Sequence, residues 1–319
     1  MDLKQLEYIV TIADEGNIAK AAEKLYLTQS ALNQQLLKLE SELGVALFER
    51  RRRQMVPTAA GRLYLDTARS MIDMKRETYR RIHDIADGTT GEITIVFTPE
   101  RGVQMFSSVF SLFHSVYPNI HLIPHEARNR KMQQMLLNQE VTLACMSFYN
   151  EANNPNFSYY AKANEAYLLA LPESHPLAAR ANKNSGINPS EIDLNLLKDE
   201  AFVLRTYDTL SRRIEYDMFS RAGFKPNILF ETSSSAAALA ITEKQIAPCF
   251  TQQFYADKTE HSVFFKCRPF PVWTICVATL KNAYLTDAER WLIKLIDAYN
   301  NGRPLSEVPL PDNIKDTDQ

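Results

Sequence analysis

The chain has 319 residues, more than one hydrophobic core normally accommodates, so we expect two or three domains. Its composition, 45% hydrophobic and 23% charged, is that of a globular protein in water. The formal net charge of -2 excludes a globally basic chain, so any nucleic-acid surface must depend on local charge. No apolar run approaches the ~18 residues that span a bilayer, and no secretory leader is present. We therefore expect a cytoplasmic protein with no membrane partner.

The residues that carry redox, metal or catalytic chemistry form no recognisable set. The four cysteines show neither a C-x-x-C pair nor a zinc-ligand spacing, which predicts buried thiols in a reducing compartment. A redox switch between Cys267 and Cys276 is the alternative. His121 and His125 fall on a strand interrupted by Pro124, a setting that does not predict a metal site. Since there is also no glycine-rich phosphate loop, nucleophile elbow or acidic dyad, we expect no cofactor and no enzyme activity.

The first ninety residues predict helices with clear start and stop signals. Asp2 caps a first helix that closes at Gly16, and Asn17 caps a second. Thr28 caps a third helix that Gly44 stops. The third helix has an apolar stripe formed by Leu32, Leu36, Leu39 and Leu43.

A basic segment and a long helix follow. Residues 49–57 are too polar and too short for a helix, and they suit a two-stranded wing. Thr58 then caps a helix that runs to about Asp87. Its apolar positions keep an alternating spacing of three and four, interrupted by Lys75: Leu65, Ala68, Ile72, Tyr79, Ile82 and Ala86. Because an exposed seam of this length needs a partner, we predict that the chain dimerises through this helix.

The second and third helices are separated by the short turn 26–28, as a helix-turn-helix requires. Amide side chains on the outer face of the third helix can pair with adenine in the major groove, and Lys38 suits a phosphate. From Arg50 to Arg81 there are ten basic and three acidic residues, which would make binding strongly salt-dependent. The candidate DNA-binding residues are Thr28, Gln29, Ser30, Asn33, Gln34, Lys38, Arg50, Arg51, Arg52 and Arg53. The alternative is a small helical bundle with a solvated arginine run.

Beyond a linker at residues 88–91, short strands alternate with helices, which predicts an α/β fold with parallel sheets. Predicted strands begin near Glu92, His121 and Thr142, and a second set begins near Tyr167. The tail from Gly302 to Gln319 is polar and rich in proline and aspartate, so we expect it to be disordered.

Residues 1–62 resemble the N-terminal domain of the LysR-type transcriptional regulators. The resemblance rests on four runs of residues: Leu6 to Gly16, Ala21 to Leu32, Leu39 to Arg50 and Thr58 to Gly61. Asn33 and Gln34 stand where the family often has serine and arginine, which alters the base that is read. The remainder is similar to the family's effector domain, with its best signatures at Glu165 to Ala178 and Phe219 to Pro226.

The resemblance implies an N-terminal winged helix-turn-helix and a C-terminal module of two Rossmann-like lobes, similar to periplasmic binding proteins. The implied domains are a DNA-binding domain at 1–60, a linker helix and hinge at 61–90, an effector-binding domain at 91–300 and a tail at 301–319. Lobe I would comprise 91–163 and 268–300, and lobe II 164–267. The implied partners are double-stranded operator DNA, a small-molecule effector, further copies of the chain in a homotetramer, and RNA polymerase.

Ligands of open α/β sheets bind outside the carboxyl ends of the strands, often against helix N-termini. The candidate effector-binding residues at those ends are Thr98, Glu100, Arg101, Arg128, Asn129, Arg205, Thr206, Tyr207 and Ser233. The arginines favour an anionic effector such as a carboxylate. The alternative places Arg101, Arg128 and Arg205 on the rim or the surface.

These patterns favour a DNA-binding transcription regulator whose DNA binding or bending responds to an effector held between two lobes. A cytoplasmic solute-binding protein without a regulatory role is the alternative, because the lobes resemble periplasmic binding proteins. An enzyme on the same scaffold is a third hypothesis, for which the residues offer no chemistry.

Overall fold

The computed structural model describes residues 2–51, 54–86, 88–150, 154–256, 259–268 and 270–315. The chain forms two compact units, Met1–Gly88 and Thr89–Gln319. Within the described ranges, none of the helices combines the length and apolar character needed to cross a bilayer.

The first unit is a helical domain with a two-stranded wing. Its elements are α1 (Leu3–Glu15), α2 (Ile18–Lys24), α3 (Gln29–Leu43), β1 (Phe48–Arg51), β2 (Gln54–Pro57) and α4 (Ala59–Ala86). The predicted caps are present, because the side chains of Asp2, Asn17 and Thr28 accept backbone N–H groups of α1, α2 and α3. Gly16 and Gly44 end α1 and α3 in the left-handed conformation.

The core of this unit lies between the four helices and the wing. Leu32, Leu36 and Leu39 on α3 are buried in it, but Leu43, which we expected to share that stripe, is 46% exposed. The wing is fixed to the end of α1, since Met55 N donates to Gly16 O at 2.8 Å. Only a glycine fits at position 61, because a Cβ there would lie 1.9 Å from the carbonyl oxygen of Leu47.

Helix α4 packs on the core with its N-terminal half, which corrects the first part of the predicted dimer seam. Leu65 and Ala68 are buried, and Ile72 packs against the same core. This part of α4 packs against α1 of the same chain and is not available to a partner chain. Tyr79 and Ile82 of the predicted seam are exposed, as are Leu63, Met71 and Met74 outside it.

The second unit contains ten strands and seven helices among its described residues. The strands are β3 (Thr90–Phe97), β4 (Asn119–Glu126), β5 (Leu143–Phe148), β6 (Phe157–Pro172), β7 (Ser190–Ile192), β8 (Ala201–Arg205), β9 (Asn227–Thr232), β10 (Cys249–Gln252), β11 (Ser262–Cys267) and β12 (Val272–Leu280). The helices are α5 (Arg101–Val116), α6 (Asn129–Leu137), α7 (Leu210–Ala222), α8 (Ser235–Glu243), α9 (Gln253–Ala256), α10 (Asp287–Asn300) and α11 (Asp312–Lys315). Strand β3 includes Thr90 and Gly91, so the linker that we predicted at 88–91 is shorter.

The strands follow the order β4-β3-β5-β12-β6-β10-β8-β9, with β11 paired to β6 and β7. Lobe I comprises β3–β5, β12, α5, α6, α10 and the first part of β6, and lobe II comprises β7–β11, α7–α9 and the end of β6. Strand β6 therefore passes from one lobe to the other, pairing with β12 and then with β10 and β11. Strand β12 makes the return connection, directly after β11.

The expectation of purely parallel sheets is wrong at the centre. The outer strands are parallel, but β12 pairs antiparallel with both β5 and β6. Strand β6 carries the chain from lobe I to lobe II and β12 carries it back, so the two strands run in opposite directions where they pair. The predicted strand at His121 forms despite Pro124 because β4 is an edge strand, where a proline costs no ladder hydrogen bond on its open side.

The tail is ordered from residue 302 to residue 315, contrary to the expected disorder. The indole N–H of Trp291 donates to Pro309 O at 2.9 Å, and the Tyr117 hydroxyl bonds to Asn313 Oδ1 at 3.0 Å. Leu305, Val308 and Ile314 pack against the core of lobe I. The tail's few apolar residues are enough to bury it, which its composition did not reveal. Residues 316–319 lie outside the described residues.

Candidate functional sites

The polar face of α3 is turned away from the core of the first unit. Thr28, Gln29, Ser30, Gln34 and Lys38 are all exposed, and Asn33 is half-buried. The Thr28 hydroxyl accepts the N–H of Ala31 at 3.2 Å and lies 3.2 Å from the Ser30 hydroxyl. This arrangement leaves the amides of Gln29 and Gln34 directed to solvent near the start of α3, where a base edge would be reached.

The wing contributes positive charge beside this face. Arg50 and Arg51 are exposed, and Arg50 Nη2 donates to Asn33 Oδ1 at 2.8 Å. Arg51 pairs with Glu49 at 3.0 Å, which reduces the positive charge of the wing. Arg52 and Arg53, at the tip, lie outside the described residues.

Two exposed residues beside the polar face were not among the predicted contacts. Tyr26, in the turn before α3, is 95% exposed and has a φ of 56°, an uncommon conformation for a bulky residue. Leu37, on α3 itself, is 55% exposed and offers an apolar contact suited to a thymine methyl group. The direction of Tyr26 depends on the geometry of the turn, whereas the helical spacing of α3 already places Leu37 opposite the apolar stripe.

In the second unit, Glu100 reaches from lobe I to lobe II. Ser235 N donates to Glu100 Oε2 at 2.9 Å, and the Ser234 hydroxyl donates to Glu100 Oε1. Glu100 itself has φ 65° and ψ -88°, a γ-turn conformation that costs a non-glycine residue about 1–3 kcal/mol.

Arg101 is directed to the hinge formed by β6. Its Nη1 atom lies 2.5 Å from Glu165 Oε1, with both side chains 13% exposed. Its guanidinium carbon is 4.3 Å from the centre of the Phe254 ring, and Phe254 N donates to Glu165 at 3.1 Å. Arg101 therefore joins the hinge to α9 and is not a rim residue.

Arg205 lies inside lobe II and is only 3% exposed, so it does not fit the rim alternative either. Its Nη2 atom donates to the Ser235 hydroxyl, and its backbone N–H donates to Glu215 Oε2 at 2.9 Å. Among the described residues, Arg205 Nε and Nη1 have no hydrogen-bond partner. The hydroxyl of Tyr167 donates to the other Glu215 oxygen at 3.0 Å. Burial is the main cause that raises the pKa of Glu215 to about 7.

Tyr255 is a buried residue near this charged cluster. Burial raises the pKa of its hydroxyl to about 12, and the nearby charges of Glu100, Arg101, Arg205 and Glu165 act on the same group. Sequence reasoning missed Glu165, Ser235, Glu215 and Tyr255 as cleft residues. Glu165 alone carried a signal, as the first residue of a family signature.

The other predicted effector residues are more scattered. Arg128 forms an ion pair with Asp208 of lobe II, and both are about half exposed. Thr206 bonds to Asp208 at 3.0 Å, whereas Asn129 is tied to the backbone of Ser147. Tyr207 is 86% exposed, Ser233 is exposed and Thr98 is half-buried. Only Glu100, Arg101 and Arg205 are therefore brought into the central cluster.

A separate surface cavity of about 550 Å³ lies elsewhere in lobe II. It is lined by Glu191, Ile192, Asp193, Leu194, Asn195, Arg221, Ala222 and Arg268. None of these was a predicted effector residue. No group of histidine, cysteine or acidic side chains able to hold a metal ion occurs in the described part of the chain.

Comparisons with known proteins cover both units. Residues 3–62 match the model of the bacterial regulatory helix-turn-helix protein, lysR family, and residues 86–300 match the LysR substrate binding domain. The chain is 26% identical over 297 residues to the uncharacterized HTH-type transcriptional regulator YcgK of Bacillus subtilis, covering 90% of this chain and 91% of the relative. It is 28% identical over 180 residues to the dual regulator OxyR of Escherichia coli, covering 56% and 58%.

Solved structures share the fold. A full-length OxyR variant from Pseudomonas aeruginosa has a TM-score of 0.63 at 18% identity and covers 96% of both chains. Full-length CbnR in complex with its target DNA has a TM-score of 0.56 at 20% identity, covering 94% of this chain and 100% of that one.

Proposed function

Since the chain belongs to the LysR family of bacterial transcriptional regulators, with its DNA-binding and effector-binding domains, we propose that α3 reads an operator while the cleft between the lobes binds the effector. The proposal that α3 reads an operator rests on the exposed polar face of α3, which lies beside a wing that bears arginines. Gln29 and Gln34 would contact base edges, and Lys38, Arg50 and Arg51 would contact phosphates.

The test is gel retardation with the DNA upstream of the protein's own gene. We expect salt-sensitive retardation that a shuffled duplex of equal length does not compete away. Equal competition by the shuffled duplex would contradict sequence-specific reading. Retardation by neither duplex at low ionic strength would contradict DNA binding altogether.

We further propose that the signal is a bound ligand and not thiol oxidation. One curated relative is a hydrogen peroxide-inducible genes activator. In this chain Cys249, Cys267 and Cys276 are buried, and burial raises the pKa of each thiol to about 12. Burial also raises the pKa of the fourth thiol, Cys145. Such thiols carry almost no thiolate, the reactive form. Peroxide treatment should therefore leave operator affinity unchanged.

Two exposed apolar surfaces support a homotetramer built from two kinds of contact. One is the outer side of α4, where Met71, Met74, Tyr79 and Ile82 are exposed. The other is the edge strand β9, where Ile228, Leu229 and Phe230 are each at least 41% exposed. Edge strands with consecutive apolar residues are normally covered. RNA polymerase is a further expected partner, because regulators of this family act at promoters.

A further inference from the structure

The N-terminus of α8 already holds a carboxylate, which belongs to the protein itself. Glu100 accepts the Ser235 N–H at 2.9 Å and the Ser234 hydroxyl. Free N–H groups and the helix dipole make such a position favourable for an anion. The occupant comes from the turn between β3 and α5 in the opposite lobe.

A second observation points to the same place. Arg205 is buried and reaches the Ser235 hydroxyl with Nη2, while its Nε and Nη1 atoms have no partner among the described residues. A guanidinium is suited to bind a carboxylate through two parallel hydrogen bonds. Glu100 satisfies the helix end but leaves these donors unpaired, and unpaired buried donors are costly.

We propose that Glu100 is a tethered carboxylate that occupies the position of the effector's own carboxylate, and that a small carboxylate ligand displaces it by bonding both the α8 N-terminus and Arg205. The inference rests on the proposed function for its consequence in DNA binding. The site itself rests only on the contacts of Glu100, Ser234, Ser235 and Arg205.

The carboxylate of Glu100 and that of a ligand would compete for the same helix end, but they can contact different sets of donors. Glu100 is fixed to a strained backbone and meets only the helix end, whereas a free carboxylate can also pair with Arg205. Displacement breaks the link between the β3–α5 turn and α8, so ligand binding is coupled to separation of the lobes at this point.

The test uses the full chain and sodium acetate as the probe, with ionic strength held constant by sodium chloride. Calorimetric titration compares the wild type, Glu100→Ala and Glu92→Ala, since Glu92 is exposed in the same lobe. We expect acetate to bind Glu100→Ala at least about tenfold more tightly than the other two, because its competitor is gone. Acetamide, the neutral analogue, should not bind. Glu100→Gln provides the same comparison if the alanine variant does not fold.

Equal acetate affinity in all three proteins would overturn the proposal, as would equal binding of acetamide. Gel retardation of the same samples separates this failure from that of the proposed function. DNA retardation without selective acetate binding refutes the tethered carboxylate alone. Selective acetate binding without DNA retardation refutes the regulator and retains the site.

Discussion

Asn33 and Arg50 form a pair that joins α3 to the wing. Because Arg50 donates to Asn33 Oδ1 at 2.8 Å, that amide oxygen is already engaged and only the amide N–H groups remain for a base. Bidentate pairing of Asn33 with adenine therefore requires Arg50 to move. The two residues should act on DNA as one unit.

We predict non-additive effects of Asn33→Ala and Arg50→Ala on operator affinity. The double variant should lose less binding free energy than the sum of the single variants, with a coupling of about 0.5–3 kcal/mol. Lys38→Ala is the control, because Lys38 is exposed and lies about a turn further along α3. Its loss of binding free energy should add to that of Asn33→Ala or of Arg50→Ala. Strict additivity for the Asn33 and Arg50 pair, measured by fluorescence anisotropy, would show that they act separately.

Glu215 should give the stability of the effector domain a pH dependence. Its pKa is raised from 4.5 to about 7 in the folded chain, so folding favours the protonated form. This contribution is fully present below pH ~4.5 and is lost as the pH rises through ~7. The shift corresponds to roughly 3 kcal/mol.

The measurement compares urea unfolding of the wild type and Glu215→Gln at pH 5 and pH 8. We expect the free energy of unfolding of the wild type, relative to that of the variant, to decrease from pH 5 to pH 8. Only the wild type has a buried carboxyl that ionises over this range. If the difference between the two proteins is the same at both pH values, Glu215 does not titrate in this range.

Residues whose role is local could be predicted from the sequence, and those whose role is long-range could not. The caps Asp2, Asn17 and Thr28 act on residues two or three positions away, so their spacing reveals them. Glu100 and Ser235 are separated by 135 positions, and no local pattern indicates that they meet. Strand-end reasoning found Glu100 and Arg205 but not Ser235 or Glu215, which contact them.

At the scale of elements, the exposed half of α4 should form the dimer contact. Met71 and Ile82 lie on one side of the helix by their spacing, and Asp66 lies on the opposite side. We predict that Met71→Lys/Ile82→Lys weakens dimerisation at least about tenfold, because it would bury charge at the contact. Asp66→Lys is the matched control and should leave the mass found by light scattering unchanged. A dimer that persists in the double variant would refute the role of α4.

The tail should contribute to the stability of lobe I. A chain ending at Arg303 loses the Pro309 acceptor of Trp291 and the packing of Leu305, Val308 and Ile314. We expect it to be less stable by roughly 2–4 kcal/mol in denaturant unfolding. A chain ending at Lys315 is the control and should match the full chain. Equal stability of the shorter chain would mean that the tail only rests on the surface.

The elements themselves were predicted well where their periodicity is strong. Helix α3 begins after Thr28 and ends before Gly44, as its cap and its apolar spacing indicate. Strand β6 was found only from Tyr167 onward, because polar residues such as Lys162, Asn164 and Glu165 interrupt the apolar pattern of its first ten residues. Its antiparallel partner β12 was found as a strand, but pairing direction is a property of the whole sheet.

At the scale of the whole molecule, the chain joins a helix-turn-helix unit to an effector-binding unit. The local excess of positive charge near the wing and α4 contrasts with a net charge of -2 for the chain, so DNA binding should depend on few, well-placed contacts. The family models cover both units, which is why the general function follows from sequence while the effector does not.

The most direct test of the central claim is a fluorescence anisotropy titration of the upstream duplex across a range of salt concentrations, with the wild type and with Gln29→Ala/Gln34→Ala. We predict a steep linear fall of log affinity with log salt for both proteins, because phosphate contacts are retained. The double variant should lose its preference for the upstream duplex over a shuffled one. Failure of the wild type to bind at low salt, or an undiminished preference in the variant, would contradict the account.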